Sequence, residues 1–374
     1  MSKKICYSVF IEDKPYLLWQ LELFLYSLTK RAKIEDKDIF LFWASPDFYK
    51  QEHHKDPENP EQEPWMPSPW LRGIMQAYPR MHHRYCQNFG RQNRYFRFMG
   101  KGNWGGRNYP GLNKWSAWIE WQNAGVFDEW DEVWILEQDL WFSDELPKVP
   151  EGNVVSYNWI PNKKIAFERK SNKDDKDEWQ TLRGFKSNSF RGQDLEQIMK
   201  VTGMNKPKID KWKQGAVLFK FRTKDLQPKL LNDIMNYNYL LLHLMEIKHP
   251  LGARHETDMI APSLALANNN IEIESLKDAT LRTDTWTHNE EIPKGTIVHY
   301  GWDFEKYPHL GVEFGKHKFG ELAPWQGGLQ NLKDQREKAK FEWVKNYFTD
   351  MINIHYDFPN VLRECRKTAH QMRV

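Results

Sequence analysis

Cysteine is scarce in this chain: its 374 residues hold three, Cys6, Cys86 and Cys365, far apart and with no CxxC pair. That excludes a disulfide framework and a thiolate zinc site as organising features, and makes a reducing compartment the default. Long apolar runs are missing as well. Met1-Ser2-Lys3-Lys4 leads straight into Ile5–Ile11, which is too short for a signal-peptide core with its cleavage site. No later window offers the ~18 uncharged apolar residues that a membrane span needs. A cytoplasmic chain with no membrane partner is expected. Excess charge of one sign is also lacking, since 54 Lys and Arg against 51 Asp and Glu leave a formal +3, too little to name a partner. No repeat recurs at solenoid or propeller periods, so the elements are unique ones.

What the sequence has in quantity is aromatic surface. Eighteen Trp, 15 Tyr and 21 Phe, within 40% hydrophobic residues, supply a large core and exclude a disordered or collagen-like chain. The length fits one elaborated domain or two closely joined ones. Ile5–Ile11 reads as a buried strand, Pro15–Ala32 as a helix with Pro in its first turn, and Asp38–Ala44 as a second strand. The Pro- and charge-rich stretch 46–70 reads as an exposed excursion. Asn113–Ala124 is an amphipathic helix with Trp115, Trp118 and Trp121 on one face and Gly125 at its C-cap, and Glu132–Leu136 is the strand after it. A Lys/Asp/Ser-rich insertion near 162–194 interrupts the sheet pattern as a loop or flap. Gly215–Phe221 then reads as strand, Leu226–Ile247 and Asp258–Asn268 as helices, Thr296–Tyr300 as a last strand, and Leu329 onward as a helical cap. Strands alternating with helices make a mixed α/β sheet.

Four polar constellations stand against this background. Glu137-Gln138-Asp139 sits between the apolar runs EVWIL and LWF, where acidic groups are costly unless paired or bound to a cation. From spacing alone an acidic strand-to-loop turn reads the same way. His299, at the end of the last strand, offers an imidazole to the same cation or is a satisfied core histidine. Glu256 and Asp258 open the helix that follows, as cap residues or as carboxylates facing an acceptor hydroxyl. Lys213 and Gly215, in Lys211-Trp212-Lys213-Gln214-Gly215, bring a cation and a close backbone approach toward a sugar or phosphate, or form a solvated basic loop. Lys114, at the head of the Trp-bearing helix, is a point cation for a phosphate or a solvent-facing lysine.

The order of these segments resembles the plant and algal hydroxyproline O-arabinosyltransferase and peptidyl-serine galactosyltransferase group. The resemblance runs over roughly residues 107–305 and is carried by Asn113-Lys114, Glu137-Gln138-Asp139, Gly215 with Lys224-Asp225-Leu226, Asp258-Met259-Ile260-Ala261-Pro262-Ser263, and His299-Tyr300-Gly301. It implies a GT-A-like mixed sheet with a Rossmann-like nucleotide-binding half, flanked by helices, spanning 1–322 with a C-terminal helical extension over 323–374. It also implies a UDP-sugar donor, pentose such as arabinose favoured, with Mn²⁺ or Mg²⁺ on the diphosphate. By the same resemblance Asp139 and His299 ligate the metal, Glu137 contacts metal or ribose, Asn113, Lys114 and Gly301 belong to the donor site, and Asp258 faces the reacting sugar or acceptor. Two departures stand out: the first Asp of the family's acidic motif is Glu137 here, and the secretory anchor of a Golgi enzyme is missing.

The acceptor is the open question. Leu71–Ile119 contains no Asp or Glu but carries Arg72, Arg80, Arg84, Arg91, Arg94, Arg97, Lys101, Arg107 and Lys114 among Tyr, Phe and Trp residues. Cations beside aromatic platforms suit a nucleic-acid groove, which points to a hydroxylated base in DNA as acceptor, in the host cytoplasm if the chain is viral. The run serves equally to bind the donor diphosphate, or as a folded segment whose acidic partners come from elsewhere. A hydroxyproline- or serine-type protein glycosyltransferase, a non-catalytic nucleic-acid-binding protein on a degenerate GT-A fold, and a metal-dependent nuclease or phosphatase are the competing expectations.

Overall fold

The computed structural model describes residues 3–45, 66–86, 88, 112–157, 169–171, 177–179, 199–200, 202–211, 218–248, 257–277, 280–282, 291–300, 304 and 308–371. Its strands are β1 (Ile5–Glu12), β2 (Ile39–Ala44), β3 (His82–Tyr85), β4 (Glu132–Leu136), β5 (Leu140–Phe142), β6 (Asn153–Tyr157), β7 (Arg169–Ser171), β8 (Asp177–Trp179), β9 (Leu218–Arg222), β10 (Ile273–Lys277), β11 (Thr280–Arg282) and β12 (Ile297–His299). Its α-helices are α1 (Pro15–Lys30), α2 (Pro69–Ala77), α3 (Leu112–Asn123), α4 (Lys206–Lys211), α5 (Pro228–Lys248), α6 (Thr257–Asn268), α7 (Pro324–Gly327), α8 (Leu329–Lys338), α9 (Glu342–Asp357) and α10 (Pro359–Gln371). The fold is α/β. A mixed seven-stranded sheet runs β10-β6-β9-β4-β1-β2-β3, with separate three-stranded (β11-β12-β5) and two-stranded (β7-β8) sheets. Pairs β1–β2, β2–β3 and β10–β6 are parallel, and β6–β9 is antiparallel.

The chain divides into two compact units: Met1–Ile5, Phe89–Ile135 and Val149–Asp278 form the first, and Cys6–Asn88, Leu136–Lys148 and Ala279–Val374 the second. In the first, α3 ends as its sequence dictates. Gly125 takes φ +71°, its N–H bonds the Gln122 carbonyl and the Val126 N–H bonds that of Trp121, which is the Schellman arrangement. Trp115 and Trp118 are fully buried, and Trp118 stacks on Phe127 at 4.0 Å. Trp134 is buried too, so the tryptophans expected in the core are in it, with Trp121 half-buried. Trp104, Trp212, Trp286 and Trp302 lie outside the described residues.

In the second unit, β2 is buried along its whole length, as a parallel strand covered on both faces must be. α1 presents Trp19 to an aromatic cluster, stacking on Tyr300 and meeting Phe319 and Trp325 edge-on, while Tyr300 meets Tyr347 at 5.3 Å. Among the described residues, Trp, Tyr and Phe are therefore chiefly core. Arg31, at the end of α1, forms a two-pronged ion pair with buried Asp350 on α9, and Asp350 also accepts from the Trp141 indole of β5.

Two expectations are corrected. The insertion near 162–194 contains the antiparallel pair β7–β8, a ladder its charge-rich composition hid; its other residues lie outside the described set. Of the stretch 46–70, residues 46–65 lie outside the described set, and its end is not an excursion but the start of α2: Ser68 caps that helix by accepting from the Leu71 N–H, Pro69 stands at its first position, and buried Asp13 accepts from both the N–H and the hydroxyl of Ser68. The helical pattern expected from Leu329 onward is borne out, as three helices. It breaks at extended Ala339, where the Glu291 carboxylate receives the first N–H groups of α9, and again before Pro359.

Glu22 on α1 is fully buried and takes one hydrogen bond, from the Trp70 indole of α2. Burial pushes its carboxyl up to about 8, against the Trp70 bond that lowers it. The folded state therefore holds a proton that the unfolded state, ordinarily near 4.5, gives up first. Stability is full below that range and falls by about 1.4 kcal/mol per pH unit as pH rises toward the folded value. Thermal melts should show a falling Tm between pH 6 and pH 8, and Glu22→Gln, which keeps the acceptor for Trp70, should flatten that part of the profile.

Candidate metal centre

Glu137, Gln138 and Asp139 form the turn between β4 and β5, closed by the Leu140 N–H on the Glu137 carbonyl at 3.3 Å. β5 then pairs antiparallel with β12 in a register that sets His299 opposite Leu140, and the Tyr300 N–H bonds the Asp139 carbonyl. Two residues remote in sequence are thus fixed side by side by backbone alone. Gly295, at φ +75°, makes the turn into β12, and a Cβ there would meet the Pro147 Cα at 3.1 Å. Its N–H is held by Asp144.

The side chains converge. His299 Nε2 lies 3.3 Å from Asp139 Oδ2 and 3.8 Å from Glu137 Oε2, with Asp139 and His299 buried and Glu137 half-buried. Among the described residues this is the one group of three or more such side chains whose ligand atoms all fall within 4.8 Å of one another. A cation about 2.0–2.2 Å from each of its ligands sets those ligands roughly 3–3.5 Å apart, close to what is seen. Asp139 Oδ1 is buried and finds no hydrogen-bond partner among the described residues, so the centre has unused ligating capacity; His299 Nδ1, on the far side of the ring, is likewise buried without one. Two carboxylates with an imidazole suit Mn²⁺, and Mg²⁺ through the carboxylates. On donor chemistry and spacing the residues fit the ion.

A fourth side chain gave no signal in the sequence. Lys316, in the short helical turn Lys316–Lys318, is buried, with Nζ 3.0 Å from Asp139 Oδ2 and 3.4 Å from Gln20 Oε1. Its ammonium lies over the Tyr300 ring at 5.6 Å and the Tyr16 ring at 6.0 Å. Burial pushes the Asp139 carboxyl up, but the Lys316 and His299 side chains reverse that and hold it well below the usual carboxylate range. Burial likewise works against the Lys316 ammonium, and Asp139 overrides it, so the pair stays ionised. The surrounding aromatic groups keep water out, and burial raises the Tyr300 and Tyr347 hydroxyls far above their ordinary values.

Lys114 and Asp258 meet within the first unit. Lys114 Nζ is 2.8 Å from Asp258 Oδ2, both side chains are buried, and neighbouring Asn113 is buried too. Asp258 opens α6, where the helix dipole favours its charge. Pro262, inside α6, has no N–H to give the Asp258 carbonyl four residues back, and the Trp115 indole N–H takes that place at 3.2 Å. Lys114→Met should cost about 2–3 kcal/mol in a denaturant titration by leaving a buried carboxylate short of its counter-ion; the double variant with Asp258→Leu should recover most of it.

Glu256, Lys213, Gly215 and Gly301 lie outside the described residues, as do residues 87 and 89–111 of the basic run. In the described part of that run, Arg80 is paired with Glu35 and Asp36, acidic partners supplied from elsewhere in the chain. No helix among the described residues is long and apolar enough to cross a membrane. No protein-family model matches the chain, and no curated protein matches it.

Proposed function

We propose that this chain is a metal-dependent glycosyltransferase of the GT-A type that moves a sugar from a UDP-linked donor to an acceptor hydroxyl. The observation that carries the reading is the meeting of Asp139 and His299, which the resemblance to the arabinosyltransferase group assigns to a cation, with Glu137, which it assigns to metal or ribose. These residues would hold Mn²⁺ or Mg²⁺, which when bound offsets the charge building on a departing diphosphate. Lys316, held by Gln20, orients the Asp139 carboxylate, and the Trp19–Tyr300–Tyr347 wall keeps the local dielectric low, where fixed charges act more strongly. Asp258, fixed by Lys114, is the carboxylate assigned to the acceptor hydroxyl, as general base or orienting group. A pentose is the favoured sugar. DNA as acceptor rests on the basic run, and the Arg80 pairing removes one cation from that argument.

Thermal shift with UDP and Mn²⁺ tests the reading. A ligand at 100 times its Kd adds about 2.7 kcal/mol, so together they should raise Tm by several degrees. No response to UDP with Mn²⁺, beside a response to duplex DNA that fades as salt rises, would replace the enzyme with a nucleic-acid-binding protein.

A further inference from the structure

The Lys316 ammonium sits on the Asp139 oxygen that faces His299. Asp139 Oδ2 faces His299 Nε2 and at the same time receives Lys316 Nζ at 3.0 Å. An ion on that oxygen at about 2.1 Å would lie within roughly 5 Å of a buried positive charge, in surroundings that screen it poorly. The ammonium cannot simply swing into water: the side chain is 11% exposed, Nζ bonds Gln20 Oε1, and Gln20 is itself held by its own bond to the Tyr16 carbonyl. Counting charges gives the consequence. Glu137, Asp139 and Lys316 together carry one net negative charge, so a divalent ion leaves the centre net positive, and a diphosphate restores the balance.

We infer that Lys316 is a resident counter-cation that keeps the centre weak for the free metal ion and makes tight metal binding conditional on a nucleoside diphosphate arriving with it. The inference rests on the glycosyltransferase reading and deepens it: Lys316 is the positioning residue that couples metal to donor. The coupling is reciprocal, since whatever UDP adds to metal affinity, the metal adds to UDP affinity. It also gives the pairing with Asp139 a purpose in the metal-free protein, where a buried carboxylate without a counter-ion would be costly.

The test is Mn²⁺ affinity of the full chain, read by electron paramagnetic resonance with and without saturating UDP, in the native protein, Lys316→Met and Lys316→Arg. The native protein should bind Mn²⁺ weakly alone and at least tenfold more tightly with UDP. Lys316→Met should bind Mn²⁺ alone at least tenfold more tightly than the native protein and lose most of the UDP effect, while Lys316→Arg, which keeps the charge, should retain the native pattern. Melting curves of each variant establish that it is folded at the titration temperature. If Lys316→Met binds Mn²⁺ alone no more tightly than the native protein, the inference is overturned while the glycosyltransferase reading stands. If the native protein binds no Mn²⁺ even with UDP, both fall.

Discussion

Asp139→Asn should lower Mn²⁺-dependent turnover of a UDP-sugar by about 10²–10³, the scale on which removing one preorganised electrostatic group acts. The substitution preserves shape and leaves an oxygen to accept from Lys316, but removes the charge that Lys316 and His299 both face. It also leaves a buried ammonium uncompensated, so a loss of stability accompanies the loss of activity. The two effects separate in the double variant Asp139→Asn with Lys316→Met, which should regain Tm without regaining turnover. His299→Ala should lose turnover while costing less stability, because no oppositely charged partner is stranded. Release of UDP under Mn²⁺, measured well below each variant's Tm, checks all three. Full metal-dependent turnover in both Asp139→Asn and His299→Ala would remove the metal centre from the account.

Asp350→Ala should be strongly destabilising, at about 3–5 kcal/mol. Its carboxylate receives Arg31 Nε at 2.5 Å and Nη2 at 2.8 Å, and the Trp141 indole at 2.8 Å. Burial pushes this carboxyl up, and Arg31 draws it back. Truncation strands a largely buried guanidinium and an indole N–H together, although Arg31 keeps its bonds to the Ser143 and Asn346 carbonyls. Asp350→Asn, which still accepts from Trp141, should cost less. Trp141 sits on β5 two residues after Asp139, so both variants should also weaken Mn²⁺ binding in the presence of UDP. Urea titration gives the stability order, and equal midpoints for the alanine and asparagine variants would contradict it.

How much of this was legible in the sequence depends on what fixes each element. β1, α1, β2, α3 and β4 carry their own signals, namely apolar runs, a Pro at a first turn, a Gly at a C-cap, and their observed bounds follow the expected ones closely. β3, with the sequence HHRY, has no strand pattern at all. It is a strand because β2 offers it a parallel edge, where His82 lies opposite Phe40 and stacks on it. α2 depends on Asp13, more than fifty residues away, to hold its cap.

The candidate centre divides the same way. Glu137, Asp139 and His299 stood out as polar groups lodged in or beside apolar runs, and the order of motifs tied them together before any geometry did. Lys316, in GKHKF, resembles any basic surface turn. Only tertiary packing buries it against Tyr300 and Gln20, and neither local periodicity nor local composition encodes that. Arg31 with Asp350 is hidden for the same reason: two ordinary charges on helices far apart in the chain become a buried pair only once α1 and α9 have packed.

The central claim is that Glu137, Asp139 and His299 hold a divalent cation. Crystals grown with UDP and Mn²⁺, measured at the manganese absorption edge, test it most directly. The account predicts one anomalous peak about 2.0–2.3 Å from His299 Nε2 and from an Asp139 carboxylate oxygen, with a phosphate oxygen completing its coordination. A bound UDP whose manganese lies elsewhere, or that is bound with no anomalous peak beside these residues, would contradict it.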